Sequence, residues 1–451
     1  MKKFKVISLF SGGMGLDIGL AKTGMFEVVA CIEKEKAFCD TIRHNRDAGR
    51  LPSSLEVFEG DIHSLSPKTV LAKIGLEAKD IDVIVGGPPC QSFSTAGRRG
   101  SVQDPRGTLL WDYLRFVDEI RPKMFLMENV RGLLSASIKP RPKGKNARLE
   151  QDEMPGSVVR KFAHDLSQLK GDAYHLDIFE VNAVNYGAPQ IRERALFVGN
   201  RFGITVDFPD PTHGRPARKN GDDERQMSLF KEEEKPELLP WATLGDALEG
   251  LDDKNPVVLD FSPRKKSFLQ LVPQGSNWRS LPIEVQRESM GKAWMSKGGR
   301  SGWWRRLTFD LPCPTLVTMP NHASTSLCHP TETRALSIKE YARIQEFPDD
   351  WEFSGTVAEQ YAQVGNAVPP RLGQVAGEVI AKTLSMMKRR TCEPRLETNP
   401  DPRIVYLQSH VRTRSWYKNG ETIIWDSDED DGGGAGYAAP KTLRRTRKLE
   451  T

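Results

Sequence analysis

One cysteine of the chain lies in a context that suits nucleophilic chemistry. Cys90 follows an apolar stretch at 83–85, two glycines and the pair Pro88-Pro89. The β-branched residues predict a buried strand, and each proline fixes the backbone φ in the turn that follows. Since ligands of open α/β sheets bind beyond the carboxyl ends of the strands, a thiolate at this position could attack a substrate carbon. The alternative is an inert buried cysteine, the common state of a lone thiol.

A glutamate could supply the acid that such a nucleophile needs. Glu128 follows the apolar residues 124–127, which predict a neighbouring strand. Apolar surroundings disfavour a carboxylate anion, so we expect burial to raise the pKa of Glu128 and to let it donate a proton near neutral pH. The alternative is that Glu128 only caps the helix that follows. Together, Cys90 and Glu128 predict nucleophilic attack coupled to general acid catalysis.

Glycines and two acids predict a nucleotide-like ligand beside this pair. Residues 10–15 have the sequence FSGGMG between a predicted strand and a predicted helix. The dinucleotide motif G-x-G-x-x-G is absent, because Ile18 stands where its third glycine is required. Glu33 ends the second predicted strand and could accept two hydrogen bonds from ribose hydroxyls. Asp61 ends the third and could accept one from an adenine amino group. Each acid taken alone is equally an ordinary strand-end carboxylate.

Two arginines form a further candidate group. Arg192 and Arg194 lie in the sequence QIRER at 190–194. On an extended backbone they would point to the same side, because side chains alternate along a strand. Paired guanidinium groups suit bidentate contacts to carbonyl or phosphate oxygens. A surface ion-pair cluster is the default alternative.

The elements that must position these residues predict an α/β fold. Strands alternate with helices as far as Asn200, which indicates a doubly wound, mostly parallel sheet with helices on both faces. After Asn200 the chain is rich in charge, Gly, Pro and Trp, which predicts a second, smaller irregular domain. We therefore divide the chain into a catalytic and cofactor-binding domain at 1–200, the irregular domain at 201–330, a return segment at 331–390 that completes the catalytic domain, and a C-terminal extension at 391–451 whose end we expect to be disordered.

Composition excludes several classes of protein. With 38% apolar and 28% charged residues, the chain is typical of soluble globular proteins. The longest apolar runs are too short to span a bilayer, so no membrane association is expected. The six cysteines form no C-x-x-C pair, which disfavours disulfide frameworks and metal clusters and favours the cytoplasm. The net charge of +5 permits a polyanionic partner without demonstrating one.

Taken together and in this order, the motifs resemble those of the cytosine carbon-5 DNA methyltransferase family of prokaryotic type. The resemblance covers roughly residues 4–200 and 303–380. Its pieces are FSGGMG at 10–15, Glu33, Asp61, PPCQ at 88–91, ENV at 128–130, QIRER at 190–194, Arg306-Leu307-Thr308 with Pro314-Thr315-Leu316, and Gly365-Asn366-Ala367-Val368. Two positions depart from the family pattern: Met14 replaces a common glycine, and Lys34 replaces an aromatic residue that some members carry.

The resemblance implies a sequence-specific enzyme that transfers a methyl group from S-adenosylmethionine to carbon 5 of a cytosine flipped out of double-stranded DNA. It implies a monomer that needs no metal, and either a restriction endonuclease as a partner by function only or a solitary methylase. The implied catalytic residues are the nucleophile Cys90, the acid Glu128 at ring nitrogen 3, Arg192 and Arg194. The implied cofactor contacts are Phe10, Gly12, Gly15, Glu33, Asp61, Ile62, Pro89, Asn366 and Val368. The implied DNA contacts are Gln91, Ser94, Arg305 and Thr315, and residues 201–330 become the target-recognition domain.

Several alternatives stay open at this point. The tryptophans and arginines between Trp278 and Arg306 fit either a DNA-binding surface or a small second core. The same motifs could belong to a transfer-RNA cytosine methyltransferase, or to a DNA-binding regulator with a vestigial site. An amino-methylating enzyme is disfavoured, because the D/N-P-P-Y/F signature is missing at 87–90.

Overall fold

The computed structural model describes residues 3–89, 109–139, 149–169, 171, 173–215, 238–295, 300, 302–389, 402–407 and 445–448. Cys90, Gln91 and Ser94 lie outside the described residues. The strands are β1 (Phe4–Leu9), β2 (Phe26–Glu33), β3 (Glu56–Glu59), β4 (Val83–Gly86), β5 (Met124–Val130), β6 (His175–Asn182), β7 (Glu193–Asn200), β8 (His213–Gly214), β9 (Leu239–Pro240), β10 (Arg403–Tyr406) and β11 (Arg445–Lys448). The helices are α1 (Gly15–Lys22), α2 (Lys36–Asp47), α3 (Pro67–Ile74), α4 (Leu109–Ile120), α5 (Ser157–Ser167), α6 (Leu244–Leu248), α7 (Pro263–Leu269), α8 (Ile283–Met290), α9 (Ile338–Ile344), α10 (Val357–Asn366) and α11 (Pro370–Arg389).

One large sheet carries the candidate site. Its strand order is β11-β10-β6-β7-β5-β4-β1-β2-β3. Pairing is parallel except where β7 lies between β5 and β6 and where β11 joins β10. The predicted mostly parallel α/β sheet is confirmed. The chain runs from β1 outward to β3 and then returns to β4 on the other side of β1. The carboxyl ends of β1 and β4 therefore form a switch point, where ligands of such sheets bind.

Two apolar cores lie on opposite faces of this sheet. Side chains of α1, α2 and α11 pack on one face, and those of α3, α4 and α5 pack on the other. Helix α1 approaches α11 closely because both carry glycine at the crossing. A Cβ on Gly19 would lie 2.2 Å from the carbonyl oxygen of Pro370, and one on Gly373 would lie 2.5 Å from that of Leu16. The return segment thus fixes the helix that follows the glycine loop.

The irregular domain has a small core of its own. Its buried residues are Phe261, Phe268, Leu269, Val272, Trp278, Leu281, Met290, Trp304, Cys328 and Ala335. Trp294 and Trp303 are partly buried against this core. Of the two interpretations of these tryptophans, the second core is therefore the one that the structure supports.

The C-terminal extension contributes to the catalytic sheet. Strand β10 pairs with β6, and its Arg403 Nε contacts the buried Asp177 carboxylate at 2.7 Å. Residues 445–448, within the end that we expected to be disordered, form β11 beside β10. The sequence does not predict these strands, because each is only four residues long and the second is basic throughout apart from Thr446.

Candidate active site

The loop between β1 and α1 bends back towards the end of β2. Phe10 and Gly12 both have φ near +54°, a conformation that Gly12 adopts without strain. The Gly12 N–H donates to Glu33 Oε2 at 2.8 Å, and the Ser11 N–H donates to the carbonyl of Ile32. Phe10, Gly12 and Glu33 are therefore brought together, as expected for one ligand site.

Glu33 is buried and already holds three backbone amides. Its Oε1 accepts hydrogen bonds from the N–H groups of Lys34 at 2.8 Å and Glu35 at 2.9 Å, in addition to the Gly12 bond at Oε2. Burial raises the pKa of Glu33, and these three bonds oppose the shift. Because a carboxylate offers about four acceptor positions, about one remains for a ribose hydroxyl rather than the two that we expected.

The expected adenine acceptor, Asp61, is paired with a neighbouring lysine. Lys34 Nζ lies 3.0 Å from Asp61 Oδ2, and the His63 N–H donates to Asp61 Oδ1. Lys34 lowers the pKa of Asp61, and the His63 N–H adds to this effect. Ile62 beside it is buried. An adenine amino group would therefore compete with Lys34 for this carboxylate. Lys34 occupies the position at which some family members carry an aromatic residue.

Gly15, predicted as a cofactor contact, has a packing role. A Cβ at this position would lie 2.2 Å from the carbonyl oxygen of Val368. Val368 is buried against the helix start, whereas Asn366 is exposed at the end of α10. Glycine is needed at 15 so that the return segment can approach α1. The motif thus serves packing as well as ligand access.

Glu128 and Arg194 meet at the carboxyl end of β5. Because β7 runs antiparallel to β5, Arg194 stands opposite Val130, near Glu128. Arg194 Nε forms an ion pair with Glu128 Oε1, and the two side chains are 10% and 11% exposed. Glu128 is buried as predicted, but its carboxylate faces a guanidinium group instead of apolar neighbours only. The sequence could not reveal this pairing, since it depends on the direction of β7.

The turn that leads to Cys90 lies against this pair. Asn129 Nδ2 donates to the carbonyl of Pro88 at 3.1 Å. A Cβ on Gly87 would lie 3.0 Å from Glu128 Oε2, so the absence of a side chain there leaves room for the carboxylate. Pro88 is buried and Pro89 is exposed. The described part of the turn therefore ends beside Glu128, one residue before Cys90.

Arg192 does not reach towards Glu128 but binds one carbonyl of the irregular domain and one of the return segment. It is 2% exposed and lies just before β7 begins, so strand alternation does not orient it. Its Nη1 donates to the carbonyl of Leu316 at 3.2 Å, and its Nη2 donates to that of Gly365 at 2.8 Å. Burial lowers the pKa of this guanidinium group, as does Arg194, while Glu128 opposes the shift. The structure thus places the Arg192 side chain on two backbone carbonyls rather than on Glu128, and its expected catalytic role stays a prediction.

Two glutamines that we did not predict as site residues also connect the QIRER motif to the return segment. Gln190 Nε2 donates to Gln345 Oε1 and, at 3.2 Å, to the carbonyl of Ile344. Gln345 Nε2 in turn donates to the carbonyl of Ala367. Gln190 is the first residue of the QIRER motif, but nothing in the sequence around Gln190 or Gln345 indicates that the two side chains bind each other.

The two expected DNA contacts that the structure describes differ in exposure. Arg305 is 9% exposed, and its Nε donates to the carbonyl of Ser326 at 3.2 Å. Thr315 is exposed, with its hydroxyl donating to the carbonyl of Ile191 at 2.6 Å. Arg305 is thus largely buried in the free protein, and its expected contact with DNA stays a prediction.

Two further findings concern the described residues only. No group of three or more His, Cys, Asp or Glu side chains among them could hold a metal ion. None of the helices in the described ranges combines the length and the apolar character that a membrane span requires.

Known proteins are similar to this chain in both sequence and fold. The profile of the C-5 cytosine-specific DNA methylase family matches residues 4–382. Type II methyltransferase M.Sau96I of Staphylococcus aureus is 34% identical over 387 residues, 85% of this chain and 77% of that protein. Type II methyltransferase M.PspPI of a Psychrobacter species is 34% identical over 391 residues, 85% of this chain and 80% of that protein. A putative DNA modification methyltransferase encoded within an Escherichia coli prophage has a crystal structure that matches with a TM-score of 0.54 at 27% identity, covering 85% of this chain and 100% of that chain. The chain belongs to the C-5 cytosine-specific DNA methylase family and is a DNA (cytosine-5-)-methyltransferase.

Proposed function

We propose that this methyltransferase acts on a cytosine flipped out of double-stranded DNA, through a transient bond between Cys90 and carbon 6 of the ring. The observation that carries the proposal is the ion pair between Glu128 and Arg194, which lies directly beside the Gly87-Pro88-Pro89 turn. A thiol on the next residue and this carboxyl group would then approach the same ring.

Cys90 is needed because carbon 5 of cytosine is a poor nucleophile. Addition of the thiolate to carbon 6 makes carbon 5 electron-rich, and a proton on ring nitrogen 3 neutralises the charge that develops. We assign that proton to Glu128, which takes it up when the base binds because pairing with Arg194 favours the carboxylate in the free enzyme, and Arg194 holds the carboxyl group in place. Carbon 5 then takes the methyl group, and loss of its proton expels the thiolate. A free thiol with a pKa of about 8.5 is only a few per cent ionised at neutral pH, so positive charge nearby is expected to assist.

The residues at the switch point fit S-adenosylmethionine as the donor. Bound there, it would supply an electrophilic methyl group on a sulfonium centre. A Cβ at Gly12 would approach only the carbonyl of Phe10, at 4.0 Å, so this part of the backbone is open to a ligand. Glu33 keeps about one acceptor position for a ribose hydroxyl. Phe10, Gly12, Glu33, Ile62, Pro89 and Asn366 are the contacts that we propose, with Asp61 available once Lys34 is displaced.

Duplex DNA is the proposed substrate because the chain has a separate domain to bind it. Extrusion of a base costs roughly a few kcal/mol, which contacts to the rest of the duplex must offset. We propose that residues 201–330 read the target sequence, and that Gln91, Ser94 and Thr315 contact the DNA near the extruded base. By analogy with the Type II methyltransferases that it resembles, the enzyme would protect the target of a restriction endonuclease.

The proposal is tested by mapping methylation directly. DNA from a methylation-free host that expresses the chain should carry 5-methylcytosine at one fixed sequence by bisulfite sequencing. Cys90→Ser should abolish turnover and leave DNA binding intact. Duplex DNA with 5-fluorocytosine at the target should form a covalent adduct that survives a denaturing gel. Equal methylation by Cys90→Ser, or no adduct with the donor present, would overturn the mechanism. Methylation of transfer RNA in place of duplex DNA would overturn the substrate.

A further inference from the structure

An arginine just beyond the catalytic strand links three strand ends. Arg131 begins the short helical turn Arg131–Ser135 directly after β5, three residues beyond Glu128. Its Nε lies 3.1 Å from Glu180 Oε1 in β6, and its Nη1 lies 2.9 Å from Glu193 Oε2 at the start of β7. One guanidinium group therefore connects the ends of β5, β6 and β7.

These contacts fall where the proposed catalytic pair forms. In the register of the sheet, Arg194 stands opposite Val130 of β5 and Val181 of β6. Arg194 also donates from Nη1 to the carbonyl of Glu193 at 2.7 Å. Any movement of Glu193 relative to β5 would therefore displace Arg194 relative to Glu128.

The charges explain why the link is needed. Glu180 has a side chain only 6% exposed, and Glu193 is 23% exposed. Two carboxylates held close together at this level of burial repel each other unless a cation lies between them. Burial lowers the pKa of Arg131, but Glu193 and Glu180 outweigh it and raise the pKa overall. Side chains alternate along β7, so Glu193 and Arg194 point to opposite faces of the sheet, and Arg131 acts on Arg194 through the backbone between them.

We propose that Arg131 is a positioning residue that sets the geometry of Glu128 and Arg194 for catalysis. The proposal rests on the proposed function of Glu128 as the acid. Arg131 does not touch substrate in this scheme. It acts through Glu193 and through the backbone of β5, so its loss should affect the chemical step more than binding.

The experiment compares Arg131→Gln with Arg131→Lys and with a matched control. Lys123 Nζ pairs with Asp82 Oδ1 at 2.5 Å and links the opposite ends of β5 and β4. Its side chain is 38% exposed, against 32% for Arg131. Lys123→Gln therefore removes an inter-strand ion pair of similar exposure far from the site. For each purified variant, kcat and the KM values for DNA and donor are measured, together with the unfolding midpoint.

Arg131→Gln should lower kcat by about tenfold to a hundredfold, the effect of a misplacement of roughly 1 Å, with each KM within about twofold of the wild type. Arg131→Lys should recover part of the loss, because an ammonium group can neutralise one carboxylate but not bridge both as a fork. Lys123→Gln should keep the wild-type kcat.

Wild-type kcat in Arg131→Gln, or an equal loss in Lys123→Gln, would overturn the positioning role alone. A loss confined to KM would do the same. Full activity in Glu128→Gln would overturn the proposed acid, and the positioning role with it. The two failures are therefore distinguishable within one series of variants.

Discussion

The buried aspartate behind the glycine loop should give the protein a measurable pH dependence. Asp17 lies in the first turn of α1 and is only 2% exposed, and its Oδ1 has no hydrogen-bond partner among the described residues. Burial raises the pKa of Asp17 from 3.8 to about 7, although a hydrogen bond with Ser8 opposes the shift. Asp17→Asn replaces this group with a neutral side chain of the same shape.

The direction and the size of this pH effect on stability follow from the pKa values of Asp17 in the unfolded and the folded protein. The native state keeps a proton on Asp17 that the unfolded chain loses above its ordinary pKa, so the free energy of unfolding falls as the pH rises. The fall continues to about pH 7, the folded pKa, and then levels off. Each unit of pH in this window costs about 1.4 kcal/mol, which gives about 3 kcal/mol between pH 5 and pH 8. Asp17→Asn lacks this contribution and should be the more stable protein at the upper end.

Urea unfolding of both proteins at intervals from pH 5 to pH 8 tests this reasoning. The difference between the two free energies cancels the other titrating groups, so it isolates Asp17. Asp47→Asn, at a side chain 67% exposed on α2, is the control and should leave the profile of the wild type unchanged. A difference that is flat across the range, or that grows in favour of the wild type as the pH rises, would refute the reasoning.

Two further predictions concern packing at the two ends of the chain. Gly19→Ala would place a Cβ 2.2 Å from the carbonyl oxygen of Pro370, so α1 and α11 must separate, at about 1–3 kcal/mol or more; an unchanged melting temperature would contradict this. Arg403→Met removes the arginine from the buried Asp177 carboxylate, which keeps only the Val206 N–H and His175 as described partners, and should cost about 3 kcal/mol in urea unfolding. Adding Asp177→Asn should restore most of that loss, and a double variant no more stable than Arg403→Met alone would contradict the ion-pair explanation.

Local pattern was enough to predict β1, β2, β4 and β5 and the edge of the sheet where the candidate site lies. The stretches that form β1, β2, β4 and β5 are short apolar runs, and each is followed by glycine, proline or an acid. Parallel pairing then brings their carboxyl ends to one edge. Residues 10–15, Glu33 and Glu128 therefore lie along one edge of the sheet for a reason that the sequence alone contains.

Contacts between distant parts of the chain could not be predicted in this way. The partners of Arg192 lie 124 and 173 positions further along the chain, and nothing near residue 192 indicates them. Gly15 is explained by the carbonyl of Val368, which is equally remote in sequence. The antiparallel direction of β7, which brings Arg194 to Glu128, likewise leaves no local trace in composition or spacing.

The glycine contact between α1 and α11 has a consequence for biosynthesis. The loop that would bind the methyl donor leaves the ribosome several hundred residues before the helix that supports it. Such remote partners delay folding, since the intervening chain must close before they can meet. The glycine loop therefore reaches its final packing only after translation has passed α11.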